Sequence, residues 1–190
     1  NMDTTGTFEI AMEASKYKIL TSIHKHYTVE DWQCFINNVN IFSNNEWIYE
    51  YISITSGISD DDLNKLDKIL EILPNIKFIH LDVANGYIFK FLRIIEIIKK
   101  KYPNKILIAG SVVTPEIVEK YIRAGVDIVK VGIGSGSVCT TRKQTGIGYP
   151  QLSCVIECSN MAKALGGYIL SDGGCTCPGD FAKAYGGGAD

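Results

Sequence analysis

Residues 131–142 read Val-Gly-Ile-Gly-Ser-Gly-Ser-Val-Cys-Thr-Thr-Arg, with Gly132, Gly134 and Gly136 at every second position ahead of Cys139. Glycines so spaced offer bare backbone: amides can approach an anion closely, and carbonyls can converge on a desolvated cation. Ser137 adds a hydroxyl of the kind that phosphate sites use. The same glycines would also serve a tight strand-to-helix turn. A G-x-G-x-x-G fingerprint is not met, because Cys139 stands three residues after Gly136, and no Gly-Lys-Ser/Thr follows to make a Walker loop. A lone cysteine is most often a small buried hydrophobe, and that is the expectation for the other five cysteines. Cys139 differs in lying past the end of an apolar run, among backbone donors and three residues before Arg142, surroundings that stabilise thiolate. Thr141 is close enough to share its pocket and relay a proton. On these grounds a nucleophilic and a structural Cys139 both stand open.

The elements that must position this loop show in the apolar pattern. Continuous apolar runs at 19–23, 47–54, 78–83, 106–109, 128–133 and 168–170 predict parallel strands buried on both faces. Helical segments lie between them. Asp60, Asp61 and Asp62 open one that Pro74 closes; Thr114, Pro115 and Glu116 open another that Gly125 ends. Residues 37–45, rich in asparagine, read as a surface loop without function. Alternating strand and helix means an α/β fold, doubly wound or a barrel. Polar and glycine residues gather after nearly every strand, at His24-Lys25-His26, Thr55-Ser56-Gly57, Asp82, Gly110-Ser111, Gly132 onward and Asp172-Gly173-Gly174. A ring of strand ends carrying chemistry favours the (β/α)8 TIM barrel. With 190 residues against about 250 for a full barrel, the expectation is one incomplete barrel domain over 1–190. It would be truncated at both ends, missing part of the first strand and the last.

Composition narrows the class. The formal net charge is −2, 46% of residues are hydrophobic, and the longest basic run is Lys99, Lys100 and Lys101. This argues against nucleic acid or a membrane surface as main partner. No apolar stretch reaches the roughly 18 residues of a membrane span. The expectation is a soluble, cytoplasmic protein that keeps its six cysteines as free thiols. Cys175-Thr176-Cys177 and Cys154/Cys158 lack the C-x-x-C spacing of a zinc site.

At the cysteine loop the sequence becomes specific. Residues 131–153, VGIGSGSVCTTRKQTGIGYPQLS, resemble the catalytic cysteine loop of the IMP dehydrogenase and GMP reductase family. The stretches NMDTTGTFE, HKHY, LDVANGY, AGSVVT, AGVDIVKVGIG and SDGGCTCPGDFAKAYGGGAD extend the likeness along nearly the whole chain. Within the family LDVANGY, HKHY and CTTRKQTGIGYPQ are similar to the reductase forms, and there is no CBS-domain insertion.

The resemblance implies NADPH-dependent reductive deamination of GMP to IMP and ammonia, through a covalent thioimidate on Cys139 with Thr141 relaying the proton. By position it implies that Lys25, Asp82, Val83, Ala84, Ile133 and Gly134 face NADPH, and that Ser137, Asp172, Gly173 and Gly174 hold the nucleotide. Asp172 suits the ribose hydroxyls and Ser137 the phosphate. For Lys25 and Asp82 a structural ion pair is the alternative. Gly134, Gly136, Cys139 and Arg142 match a loop that holds a monovalent cation, K+, through carbonyls. A homotetramer is implied, as are a last strand and a glutamate partner for Thr141 beyond Asp190. Ser135 replaces the proline usual in reductases, which is expected to loosen the loop. Two other functions stand beside this one: an IMP dehydrogenase, and a truncated, non-catalytic nucleotide-binding module.

Overall fold

In the computed structural model, which describes residues 1–41 and 46–190, helices and parallel strands alternate along the chain. They group into two units, Asn1–Asp82 with Asn104–Ile106, and Val83–Pro103 with Leu107–Asp190.

The first unit holds helix α1 (Phe8–Ser15), strand β1 (Thr21–Ile23), α2 (Val29–Ile41), a 3-10 turn (Glu46–Tyr51), β2 (Ile52–Ser56), α3 (Asp60–Ile72) and β3 (Phe78–Asp82). Strands β1, β2 and β3 pair in that order, all parallel. All five residues of β2 are buried, as expected of a strand covered on both faces. Helix α3 begins with a complete capping box: Ser59 Oγ accepts from Asp62 N–H at 3.1 Å, and the Asp62 carboxylate accepts from Ser59 N–H. Its Leu66, Ile69 and Leu70, at helical spacing, are the residues it buries. On α2 the inward residues are Trp32, Phe35, Ile36 and Val39, with Phe8 of α1 stacked on the Phe35 ring at 4.3 Å.

The second unit holds α4 (Phe89–Lys101), β4 (Ile106–Val112) apart from its first residue, α5 (Pro115–Arg123), β5 (Ile128–Val131), α6 (Thr141–Thr145), α7 (Gln151–Ala164), β6 (Tyr168–Ser171) and α8 (Pro178–Gly186). Here β4, β5 and β6 pair in chain order, again parallel. Helix α7 packs on α5 and against β5 and β6, burying Cys154, Val155, Cys158 and Ala162. The α/β class and the parallel, sequential strands are as expected, and neither unit shows the reversal of strand order that marks a doubly wound sheet.

Several boundaries differ from expectation. The run at 47–54 enters the strand only at Ile52; its first half forms the 3-10 turn, because burying Ile48 and Tyr49 satisfies a helical turn as well as a strand. Residues 37–41 are the last turn of α2 rather than a loop, with Trp32, Phe35, Ile36 and Val39 at helical spacing; residues 42–45 of that stretch lie outside the described residues. Strand β4 continues through Gly110 and Ser111, which therefore lie within the strand and not after it. The five cysteines expected to be buried are not alike: Cys154 and Cys158 are, while Cys34 and Cys177 are exposed and Cys175 is half-buried. One turn apart on α7, Cys154 and Cys158 face inward together, whereas Cys34 lies on the outer side of α2. All six thiols are free.

Candidate active site

In the second unit the chain turns sharply where β5 ends. Gly132 has φ 144°, and a Cβ there would lie 2.3 Å from the Asp172 carbonyl oxygen and 2.9 Å from Gln151 Oε1. Gly134 has φ 72°, with Arg142 Cγ 2.8 Å from where a Cβ would be. Gly136 has neither constraint, its nearest neighbour being Cys139 Cβ at 3.6 Å. Two of the three glycines are thus imposed by backbone and space. The loop is then pinned from several sides. Cys139 N–H donates to the Gly136 carbonyl at 3.1 Å, Tyr149 N–H to Ile133 at 3.2 Å, and Arg142 Nη2 to the Tyr149 carbonyl at 2.7 Å. Ser135 Oγ donates to the Asp172 carbonyl at 2.7 Å. The serine expected to loosen this loop supplies a tether that proline, lacking a hydroxyl, could not.

Cys139 is half-buried, and its thiol lies 3.3 Å from Thr141 Oγ1, the first residue of α6. The side-chain and backbone hydrogen bonds of Thr141, joined by the Gly134 amide, pull the Cys139 thiol below the ordinary cysteine range; burial and the Asp172 carboxylate oppose them. Thiolate is the form that attacks carbon, so this geometry favours the nucleophile over the structural thiol. Removing the hydroxyl in Thr141→Val is expected to raise the pH midpoint of Cys139 alkylation by iodoacetamide. Peptide mass mapping would separate Cys139 from the exposed Cys34 and Cys177. An unchanged midpoint would mean that Thr141 does not tune the thiol.

Facing this loop is the turn after β6. Asp172 N–H donates to the Val131 carbonyl at 2.9 Å, and Gly173 and Gly174 follow with φ of 82° and 79°. A Cβ on Gly173 would lie 2.8 Å from Ser135 Oγ and 3.0 Å from Gly136 N, so turn and cysteine loop approach at backbone distance. Asp172 Oδ2 accepts from Lys130 Nζ at 2.7 Å, and the same ammonium donates to Ser111 Oγ at 2.9 Å. Gln151, the first residue of α7, joins two strand ends: its Nε2 donates to the Val131 carbonyl at 2.9 Å and to Ser171 Oγ at 3.0 Å. Ser137 is exposed at the rim of the loop.

Lys130, Ser111, Ser135 and Gln151 escaped the sequence reading as working parts of the site. A lysine between two valines of an apolar run was the one signal available; the others act through contacts distant in sequence.

Among the nucleotide-side candidates of this unit, Val83 exchanges hydrogen bonds with β4, its N–H to the Gly110 carbonyl and its carbonyl from Ser111 N–H, each 3.2 Å, and Ala84 is exposed beyond it. Lys25 and Asp82 belong to the first unit. There the Lys25 carbonyl accepts from Lys65 Nζ, and Asp82 Oδ1 lies 3.9 Å from His80 Nε2. Among the described residues the Lys25 ammonium forms no ion pair, so the alternative of a structural Lys25–Asp82 pair is not met. His24, next to Lys25, stacks on Tyr27 at 4.1 Å, and burial followed by its neighbour His26 lowers its pKa.

The carbonyls expected to hold a cation are those of a tightly turned loop. The Gly136 carbonyl accepts from Cys139 N–H, and that of Arg142 from Gly146 N–H at 3.0 Å; each retains a second lone pair. Among the described residues no three His, Cys, Asp or Glu side chains cluster as a metal cage. Among them, too, no helix is long and apolar enough to cross a membrane.

Comparison with known proteins places the chain in a family. A family profile described as IMP dehydrogenase / GMP reductase domain matches residues 1–190. The chain is 52% identical over its 190 residues to GMP reductase 1 of Homo sapiens and 50% to GMP reductase 1 of Mus musculus. It is also 52% identical to a GMP reductase of Escherichia coli O157:H7. In each case all of this chain is covered but 53% of the relative, so it spans about half the length of the curated relatives it matches. The chain belongs to the IMP dehydrogenase / GMP reductase family.

Proposed function

We propose that this chain carries the catalytic loop of a GMP reductase, an oxidoreductase of purine metabolism that converts GMP to IMP and ammonia at the expense of NADPH. The observation that supports this most is the Cys139 thiol, hydrogen-bonded to Thr141 and lowered in pKa, in a glycine loop tethered to the Asp172 turn. Half-length identity of 50–52% to proteins named GMP reductase supports the substrate.

The chemistry follows from the poor electrophilicity of guanine C2. Cys139 thiolate adds to C2, and the amino group leaves as ammonia once protonated, with Thr141 relaying the proton; a thioimidate joins the purine to Cys139. NADPH, when bound, supplies the hydride that C2 then accepts. Expulsion of the Cys139 thiolate releases IMP. In sum GMP, NADPH and two protons give IMP, ammonium and NADP+, so the bond broken to nitrogen is replaced by one to hydrogen.

Asp172 accepts from the ribose hydroxyls, Gly173 and Gly174 bring backbone against the nucleotide, and Ser137 meets the phosphate. The family resemblance assigns Lys25 and Asp82 of the first unit, and Val83, Ala84, Ile133 and Gly134 of the second, to the cofactor; the Lys25 ammonium, in no ion pair among the described residues, suits an anionic group. Carbonyls of Gly134, Gly136, Cys139 and Arg142 would hold K+ and stiffen the loop. The wider reading is a (β/α)8 barrel domain, to which the parallel strands in chain order lend support, in a cytoplasmic homotetramer.

The test is stoichiometry. With GMP supplied, the protein should consume NADPH and release ammonia one for one, and neither without GMP. Formation of XMP from IMP and NAD would assign it to the dehydrogenases instead. GMP binding with no turnover would make it a non-catalytic module.

A further inference from the structure

A charged side chain in the middle of an apolar strand needs a partner to be there at all. Lys130 sits in β5 between Val129 and Val131, which are fully buried, and is itself 5% exposed. Its Nζ reaches Ser111 Oγ in β4 and Asp172 Oδ2 just past β6, so that three adjacent strands contribute to one bridge. The two ends of the ion pair differ in environment: the lysine side chain is 6% exposed and the aspartate side chain 43%. Asp172 therefore stands at the surface with one oxygen tied to a buried cation, while Oδ1 accepts no hydrogen bond among the described residues. Its backbone is anchored on both sides, N–H to Val131 and carbonyl from Ser135. A short side chain fixed at its backbone and at one oxygen keeps little rotamer freedom, and ordering completed before binding is not charged against affinity.

We infer that Lys130 is the positioning residue of Asp172: it fixes the carboxylate rotamer so that Oδ1 meets a hydroxyl of the ligand without rearrangement. Ser111 acts one step further back by holding the ammonium. This rests on the proposed role of Asp172 as acceptor for the ribose of GMP.

The test is a double-mutant cycle on GMP affinity, measured by calorimetry with wild type, Lys130→Met, Asp172→Asn and the combination. Each single change should weaken GMP about 30-fold, the usual scale for an unpaired charged hydrogen-bonding group. The double variant should be no more than about threefold weaker than Asp172→Asn alone, because the effect of Lys130 on the ligand is exerted through the Asp172 carboxylate. Losses that multiply in the double variant, or Lys130→Met binding like wild type, would overturn the inference. If Lys130→Met fails to fold by circular dichroism, Ser111→Ala decides in the same cycle. It should cost about threefold with Asp172 present and nothing with Asn there; a loss that persists beside Asn overturns the inference. A ligand-free readout separates the two claims. Three-bond NMR couplings should show a single Asp172 χ1 rotamer in wild type that becomes averaged in Lys130→Met, or in Ser111→Ala should that be the folded variant. Averaging already in wild type defeats the positioning role even if GMP binds. Wild type without GMP affinity defeats the proposed function while the couplings still decide the role of Lys130.

Discussion

Cys139→Ser is expected to abolish GMP-dependent NADPH oxidation, by about a thousandfold or more, while GMP affinity changes less than about threefold. The replacement keeps size and hydrogen-bonding capacity but exchanges a thiol held below its ordinary pKa for a hydroxyl that does not ionise at neutral pH. Fold stability should move by less than about 0.5 kcal/mol, because Cys139 is half-buried in a loop and its side-chain partner is Thr141, whose hydroxyl a serine could also reach. That combination makes the result informative: activity gone, binding and melting profile retained. Wild type quenched in acid during turnover should carry the mass of a purine nucleotide on the peptide containing Cys139, and the serine variant should not. Turnover in Cys139→Ser within about tenfold of wild type would sink covalent catalysis at this residue.

Gly132→Ala should be the most damaging small substitution in the second unit. Its φ of 144° lies where side chains rarely go, and the added methyl would meet the Asp172 carbonyl oxygen at 2.3 Å, a backbone atom that cannot swing aside. Strain and displacement together should cost about 3 kcal/mol or more. The urea midpoint should fall while the slope of the transition stays the same. Since the displaced carbonyl belongs to the Asp172 turn, GMP affinity should drop in the protein that still folds. The comparison is Gly136→Ala, where the nearest atom to the new methyl is Cys139 Cβ at 3.6 Å and no comparable stability loss is expected. Equal midpoints for the two variants would refute the distinction.

The difference between these two glycines shows where sequence reading reaches its end. Three glycines at alternate positions are equivalent in one dimension; only the carbonyl after β6, forty residues along, makes the first of them obligatory. The strands were legible because burial on both faces leaves a continuous apolar run, and their C-terminal ends to within two residues because the chain changes there to polar and glycine residues, except in β4, which continues through Gly110 and Ser111. The start of β2 was not, since Ile48 and Tyr49 are equally buried in a 3-10 turn. Cys139 and Thr141 could be picked out because their partnership is local, two residues apart. Lys130 and Asp172 could not be paired, because a contact across 42 residues has no period to betray it. Residues 37–41 were misassigned by composition: asparagines suggested a loop, while the four apolar residues between 32 and 39 carried the helical spacing.

The hydroxyl of Ser135 joins the Cys139 loop to the Asp172 turn, the two segments to which the proposed function assigns the nucleophile and the nucleotide acceptor. Two segments tied at 2.7 Å share whatever ordering either undergoes. A ligand that quiets the Asp172 turn would then lower the entropic cost of ordering the Cys139 loop, and by reciprocity a Cys139 loop already ordered would favour that ligand. Under the proposed function, occupancy at one end of the tether would be legible at the other, and the thiol would be held most firmly when a purine is bound.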